Sequence, residues 1–92
     1  MTKIILKGYI EVPDSDLDTI KEALSLHTEL TQQEEGCLVF QVEQDKANRN
    51  VFSVYEEFID RESFEAHQNR IKSSNWGKVS KNVLRHYQVI EE

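Results

Sequence analysis

The chain is short and acidic: it has 92 residues, of which 38% are hydrophobic and 30% charged, and its net charge is −6. A chain of this length is expected to form a single domain, residues 1–92, with a thin hydrophobic core. Its acidic surface repels phosphate backbones, which excludes nucleic acid as an expected partner. No apolar run approaches the roughly 20 residues that cross a bilayer, and a single cysteine, Cys37, suits a reducing compartment. We therefore expect a cytoplasmic protein with no membrane partner.

The first two predicted elements are a strand and a helix. Apolar and polar residues alternate over residues 4–12, which predicts a strand, and Pro13 ends it because proline cannot donate to a ladder. Ser15 followed by Asp18 resembles a capping box at the start of a helix. Gly36 ends the helical region. The predicted buried face of this helix has helical spacing and consists of Leu17, Ile20, Ala23, Leu24, His27, Leu30 and Thr31.

The second half of the chain predicts two strands, two helices and a last strand. Strands are expected over residues 37–44 and 51–58, joined by the polar loop 45–50. Asp60 is placed to cap a helix over residues 62–72, a short third helix follows over 76–84, and a strand over 85–90 ends the pattern. The strong apolar positions of the two middle strands are Leu38, Phe40, Val42, Phe52, Val54 and Phe58.

The order of these elements is β-α-β-β-α-β with one extra short helix. This order predicts an α+β, ferredoxin-like antiparallel sheet with both main helices on one face. The uncovered face would still be rich in apolar side chains, and an apolar face without a cover favours pairing with a second copy of the chain. We therefore expect a homodimer. The apolar residues on that face are Ile5, Tyr9, Val39, Val51, Tyr55 and Ile90.

Two polar residues occupy positions that the pattern assigns to the interior. Glu56 lies at an even number of positions from Phe52, Val54 and Phe58, so its side chain points to the same face of the strand. A buried carboxyl group must find a partner or raise its pKa. His67 lies on the inward face of the second predicted helix and is within reach of Glu56. A carboxylate beside an imidazole can exchange protons near neutral pH. The alternative is a structural pair that only joins helix to sheet.

The remaining candidates are His27, Trp76 and the set of histidines. His27 lies on an inward helical position, where it either packs in the core or joins a cavity with Glu56. Trp76 follows a polar loop and either closes one end of a pocket or packs in the core. The three histidines lie on separate elements without metal-ligand spacing, so no metal site is expected. The sequence also has no phosphate-binding loop and no nucleophile elbow.

Two stretches resemble the antibiotic biosynthesis monooxygenase (ABM) family. Residues 31–40, TQQEEGCLVF, resemble the family's passage from first helix to second strand. Residues 52–58, FSVYEEF, and 60–67, DRESFEAH, resemble its third strand and second helix, in the same order and spacing. Within the family, the chain is most similar to the YgiN-like quinol monooxygenase group.

The resemblance implies a dimeric α+β barrel with a pocket in each subunit, and a monooxygenase that uses no flavin, haem or metal cofactor. Dioxygen would react directly with a deprotonated quinol or phenolic aromatic substrate. Glu56 and His67 would be catalytic, and the substrate-binding residues would be Phe40, Phe52, Phe64, Trp76 and His27.

Two other functions fit the same resemblance. Residues 3–12 lack the asparagine of the haem-degrading branch, so haem degradation is not expected. One alternative is an isomerase of a small hydroxy-carbonyl signalling compound, as in the autoinducer-2 processing branch, which shares the QEEG and YE patterns. The other is a non-catalytic dimeric ligand-binding module, because a fold does not fix a reaction.

Overall fold

The computed structural model describes residues 2–92 and contains four strands, three α-helices and one 3-10 turn. Within residues 2–92, no helix is both long enough and apolar enough to span a membrane. The elements, in chain order, are β1 (Ile4–Glu11), the 3-10 turn (Asp14–Asp16), α1 (Leu17–Gln32), β2 (Cys37–Gln44), β3 (Val51–Phe58), α2 (Arg61–Lys72), α3 (Asn75–Val79) and β4 (Leu84–Glu91).

The four strands form one antiparallel sheet in the order β2-β3-β1-β4. Directly opposed residues of antiparallel strands point to the same face of the sheet. Leu6 is opposite Glu56 on β3 and Val89 on β4, so these three side chains share the face on which the helices lie. The sheet order and the helices on one face confirm the predicted ferredoxin-like α+β fold.

The hydrophobic core lies between this face and the helices. Ile10 and Phe52 from the sheet are 1% and 2% exposed, and they pack in one cluster with Ile20 of α1 and Trp76 of α3. Complete burial of an isoleucine or phenylalanine side chain stabilises a fold by about 1.5–3 kcal/mol. The predicted buried face of α1 is largely confirmed, except that Leu30 is 40% exposed near the end of the helix.

The start of α1 differs from the prediction. Asp14–Asp16 form a 3-10 turn, and the N-cap residue Asp16 makes no side-chain hydrogen bond to the helix. The predicted capping box of Ser15 and Asp18 is therefore wrong, because the helix begins at Leu17, one residue later than the box requires. Asp14 instead accepts a hydrogen bond of 2.8 Å from the side chain of Asn50.

The start of α2 confirms the sequence prediction, whereas α3 is shorter than predicted. The Asp60 side chain accepts a hydrogen bond of 2.8 Å from the backbone of Ser63, as a helix cap does. The prediction of a helix over residues 76–84 is wrong, because α3 ends at Val79. The Ser80 carbonyl then accepts a hydrogen bond from the Val83 amide and closes a turn into β4.

Strand β2 contains an irregularity that the alternating pattern does not reveal. The pairing with β3 shifts between Cys37 and Val39, which is typical of a β-bulge. Leu38 lies at this shift and is 52% exposed, so its predicted place on the buried face is wrong. Beyond the shift, Phe40 is buried and Val42 is half-buried, as the pattern predicts.

The sheet face opposite the helices carries the predicted apolar side chains, interspersed with polar ones such as Lys7 and Glu57. Ile5 is buried, Tyr9 is 43% exposed and stacks on His86 at 4.5 Å between ring centroids, and Tyr55 is half-buried. Helices α1, α2 and α3 all pack side chains against the other face of the sheet. The homodimer that this face favours stays a prediction at this point.

Candidate active site

A cavity of about 260 Å³ lies between the sheet and the helices, and it is called the inner cavity below. Sites for drug-sized ligands have volumes of roughly 300–1,000 Å³, so this one suits a molecule with one or two rings. Its walls are mainly apolar, with a few polar side chains among them. The apolar residues that line it are Ile10, Leu24, Phe40, Val42, Val54, Ile71 and Trp76.

Glu56 lines the inner cavity from the middle of β3. It is opposite Leu6 on β1 and Phe40 on β2, which directs its side chain toward the helices, and it is 5% exposed. Its Oε1 atom has no hydrogen-bond partner. Burial, and then the charge of Glu34, raises the pKa of Glu56 to about 8. The carboxyl group is therefore mostly protonated at neutral pH.

His67 lies on α2 directly beside Glu56, as the sequence predicts. Its Nε2 atom is 3.7 Å from Glu56 Oε1, which is too long for a hydrogen bond, and its side chain is 1% exposed. On the other side of the ring, Nδ1 is 3.0 Å from Glu34 Oε1. Burial lowers the pKa of His67, while the neighbouring Glu34 acts in the opposite direction. His67 does not itself line the inner cavity.

His27 lines the inner cavity from α1 and is 5% exposed. Its ring stacks on Trp76 with 4.8 Å between centroids and an angle of 6° between planes, and it meets Phe40 edge-on at 5.4 Å. Burial, followed by the charges of His67 and Arg70, lowers the pKa of His27 to about 3. The imidazole is therefore neutral, and its Nδ1 atom has no hydrogen-bond partner.

The four aromatic residues that the sequence predicts to bind the substrate divide into two pairs. Trp76 and Phe40 line the inner cavity and are 8% and 5% exposed. Phe52 packs in the hydrophobic core, and Phe64 packs edge-on against Phe58 with 5.6 Å between ring centroids. Neither Phe52 nor Phe64 is among the residues that line the cavity. Both lie behind its wall.

Two polar residues of β4 line the cavity and are missing from the sequence prediction. Arg85 and Tyr87 are opposite Ile10 and Gly8 of β1, so they point toward the helices. Arg85 Nη2 donates to Ser80 Oγ at 2.7 Å, which holds the guanidinium at the cavity. Burial, and then the charge of Glu56, raises the pKa of Tyr87 to about 12, so its hydroxyl keeps its proton. The residue as a whole is 39% exposed and faces solvent as well as the cavity.

The sequence also does not reveal the partners on the far side of His67. Glu34 follows α1, and Arg70 of α2 donates to its Oε2 atom at 2.5 Å. Glu34 lies in the QEEG pattern, which is the only signal that singles it out. Among the described residues, no group of three or more histidine, cysteine, aspartate or glutamate side chains could hold a metal ion.

Solved structures with the same fold come from several organisms. A protein from Nitrosomonas europaea assigned to the antibiotic biosynthesis monooxygenases has a TM-score of 0.74 and 19% identity, over 99% of this chain and 88% of its own. A protein from Pseudomonas aeruginosa has a TM-score of 0.76 and 20% identity, over 100% and 93%. A conserved protein from Methanosarcina mazei Go1 has a TM-score of 0.70 and 19% identity, over 100% and 91%.

Identities this low establish the fold alone, and the family must come from the sequence. No curated protein matches the chain in sequence. The sequence profile of the family described as antibiotic biosynthesis monooxygenase matches residues 3–78, which is most of the chain. The chain therefore belongs to the antibiotic biosynthesis monooxygenase family.

Proposed function

We propose that the protein is a monooxygenase that needs no cofactor and oxidises a small quinol or phenolic aromatic substrate in the inner cavity. One observation carries this proposal. Among the described residues, two buried side-chain atoms lack a hydrogen-bond partner, His27 Nδ1 and Glu56 Oε1, and both residues line this cavity. Buried polar groups in folded proteins are nearly always paired, so a ligand with hydroxyl groups would supply the missing partners.

The walls of the cavity suit a flat aromatic ring. Trp76 and His27 are stacked on each other, and Phe40 stands edge-on to His27, so a ring has aromatic neighbours within the cavity. Arg85 and Lys72 also line the cavity and contribute positive charge. Their charge would stabilise a substrate oxygen that has lost its proton, because electrostatic interactions are strong where water is excluded.

The reaction we propose begins with proton transfer from a substrate hydroxyl to Glu56. The electron-rich anion then transfers an electron to dioxygen, and the two radicals combine to form a carbon–oxygen bond. Loss of water from the peroxide leaves a hydroxylated quinone. One atom of dioxygen thus enters the product and the other leaves as water, together with two hydrogens of the quinol. General acid–base catalysis of this kind contributes about 10²- to 10⁴-fold to a rate.

Oxygen-18 labelling tests this reaction directly. Purified protein is supplied with menadiol and labelled dioxygen, and the product is analysed by mass spectrometry. We expect one labelled oxygen in a hydroxylated quinone and consumption of one dioxygen per quinol. Spontaneous oxidation of menadiol instead yields unlabelled menadione and hydrogen peroxide, so a reaction without protein is the control. An unlabelled product at the rate of that control would contradict the proposal.

The same pair of residues also fits an isomerase of a hydroxy-carbonyl compound, in which Glu56 and His67 would move a proton between carbons. Strict anaerobiosis separates the two functions, because isomerisation continues without dioxygen and oxygenation stops. Saturable binding of menadiol without turnover, in either atmosphere, would instead indicate a ligand-binding module.

We also propose that the sheet face opposite the helices, with its apolar side chains, pairs with a second copy of the chain. Replacing Tyr55 with Arg introduces a charge near the middle of this face, and we expect it to convert a dimer into a monomer. Leu26→Arg is the control, because Leu26 lies on α1 and is 51% exposed. Sedimentation velocity measures the change. A monomeric unaltered protein, or a Tyr55→Arg variant that stays dimeric, would contradict this pairing.

A further inference from the structure

A second pocket lies on the outer side of His67, and it is called the outer pocket below. Glu34, His67 and Arg70 line it, together with Glu35, Gly36 and residues in the first half of α2. The Glu34 side chain is 20% exposed and therefore reaches water, whereas the His67 side chain is 1% exposed. His67 thus separates the outer pocket from Glu56, which lines the inner cavity.

The geometry around His67 fixes the direction of its hydrogen bonds. Both carboxylate oxygens of Glu34 are near Nδ1, at 3.0 and 3.1 Å. A carboxylate only accepts hydrogen bonds, so Nδ1 carries the proton and Nε2 presents its lone pair toward Glu56. Arg70 holds the Glu34 carboxylate through Nε and also donates from Nη2 to Thr31 Oγ1 at 2.9 Å.

From this arrangement we propose that Glu34 is the positioning residue of a relay, Glu34–His67–Glu56, through which the substrate's proton leaves the inner cavity. The inference rests on the proposed function. Ionised Glu56 takes the proton of a substrate hydroxyl and then passes it to His67 Nε2. A rotation of the Glu56 carboxyl group closes the separation of 3.7 Å, since catalytic hydrogen bonds are often long before substrate binds.

The relay places a positive charge on a buried imidazole, which Glu34 stabilises. The charged and titratable groups that face His67 are Glu34 from the segment after α1, Arg70 from α2, Glu56 from β3 and the neutral His27 from α1. Of these, Glu34 is the negative group in hydrogen-bond contact with the ring. It offsets the cost of burying an imidazolium. The proton returns by the same route to the oxygen that leaves as water.

Glu34→Gln tests the relay, with Glu35→Gln as the matched control on the neighbouring exposed residue. The glutamine keeps the shape of the side chain and removes the charge. We expect kcat to fall about 10²-fold with little change in KM, because Glu34 does not line the inner cavity. We expect the Glu35→Gln control to keep the kcat of the unaltered protein.

Nuclear magnetic resonance provides a readout that does not need turnover. In the substrate-free protein, nitrogen shifts of His67 are expected to show the tautomer protonated at Nδ1. Carbon shifts of the Glu56 carboxyl group, assigned with Glu56→Gln, follow its titration. Removal of the Glu34 charge is expected to move that titration to lower pH, and Glu35→Gln should leave it in place.

The outcomes separate the relay from the proposed function. A tautomer protonated at Nε2 in the unaltered protein overturns the relay, and this result requires no variant to fold. An unmoved Glu56 titration in Glu34→Gln, or a kcat equal to that of the control, overturns it as well. The expected tautomer and titration shift in a protein that oxidises no quinol would support the coupling of Glu34 to Glu56 and overturn the proposed function alone.

Discussion

Replacement of Glu56 with Gln is expected to lower kcat/KM for quinol oxidation by about 10²- to 10⁴-fold. The amide has nearly the shape of the protonated carboxyl group that occupies this site at neutral pH, so the cavity keeps its walls. It can neither accept a substrate proton nor pass one to His67. The effect should therefore appear mainly in kcat, and initial rates of oxygen uptake measure it.

The pH dependence of the same reaction gives a second test of Glu56. Because the pKa of this group is raised to about 8, kcat/KM of the unaltered protein should increase with pH up to that value and then level off. The residual rate of Glu56→Gln should lack this ionisation. Glu65→Gln is the control, since Glu65 lies exposed on α2, and it should keep the full profile. The same ionisation in Glu56→Gln would assign it to another group.

Residue spacing along the chain is sufficient to predict that Glu56 and His67 lie side by side in the interior. A carboxyl group at Glu56 interrupts an otherwise apolar parity in β3, and His67 falls on the inward side of α2 by helical spacing, so each is visible as a polar exception. Their proximity follows once α2 packs on β3. The distance between His67 Nε2 and Glu56 Oε1 could not be predicted, because periodicity assigns each side chain to a face and leaves its rotamer undetermined.

The partners of these two residues depend on contacts between distant segments. Glu34 and Arg70 are separated by 36 positions and belong to a turn and a helix, and no local pattern links them. Arg85 and Tyr87 reach the cavity only because β4 pairs with β1 in one particular register. A shift of one residue would turn both side chains to the other face. Edge strands with mixed composition carry little information about that register.

Glu56 is also expected to make the stability of the fold depend on pH. Its pKa is about 8 in the folded protein, whereas the ordinary value of 4.5 applies to this side chain in the unfolded chain. Between these values the unfolded chain binds fewer protons, so the free energy of unfolding decreases by about 1.4 kcal/mol per pH unit as the pH rises. The stabilisation is fully present below pH 4.5 and is lost as the pH approaches 8.

His27 has the opposite effect at lower pH. Its pKa decreases from 6.5 to about 3 on folding, so the unfolded chain binds more protons between these values. The stability that neutral His27 contributes is fully present above pH 6.5 and is lost as the pH falls toward 3. From pH 4.5 to 6.5 the slopes that Glu56 and His27 contribute have opposite signs and offset each other.

Urea unfolding at a fixed protein concentration, from about pH 4 to about pH 8.5, measures both effects. Relative to the unaltered protein, Glu56→Gln should gain about 4 kcal/mol near pH 8 and about nothing near pH 4. His27→Phe should remove the decrease on the acid side and leave the alkaline side unchanged. An equal gain for Glu56→Gln at both ends of the range would mean that packing, and not ionisation, causes it.

The two effects expected for Glu56→Gln have opposite signs, and their combination is informative. A residue that serves only to join α2 to the sheet should lose stability when its side chain is altered, and the rate of any reaction should change little. A residue kept for proton transfer should lose activity and gain stability at neutral and alkaline pH, because a buried ionisable group opposes folding once the unfolded chain can ionise. Measuring both quantities on one variant therefore distinguishes a structural pair from a catalytic pair.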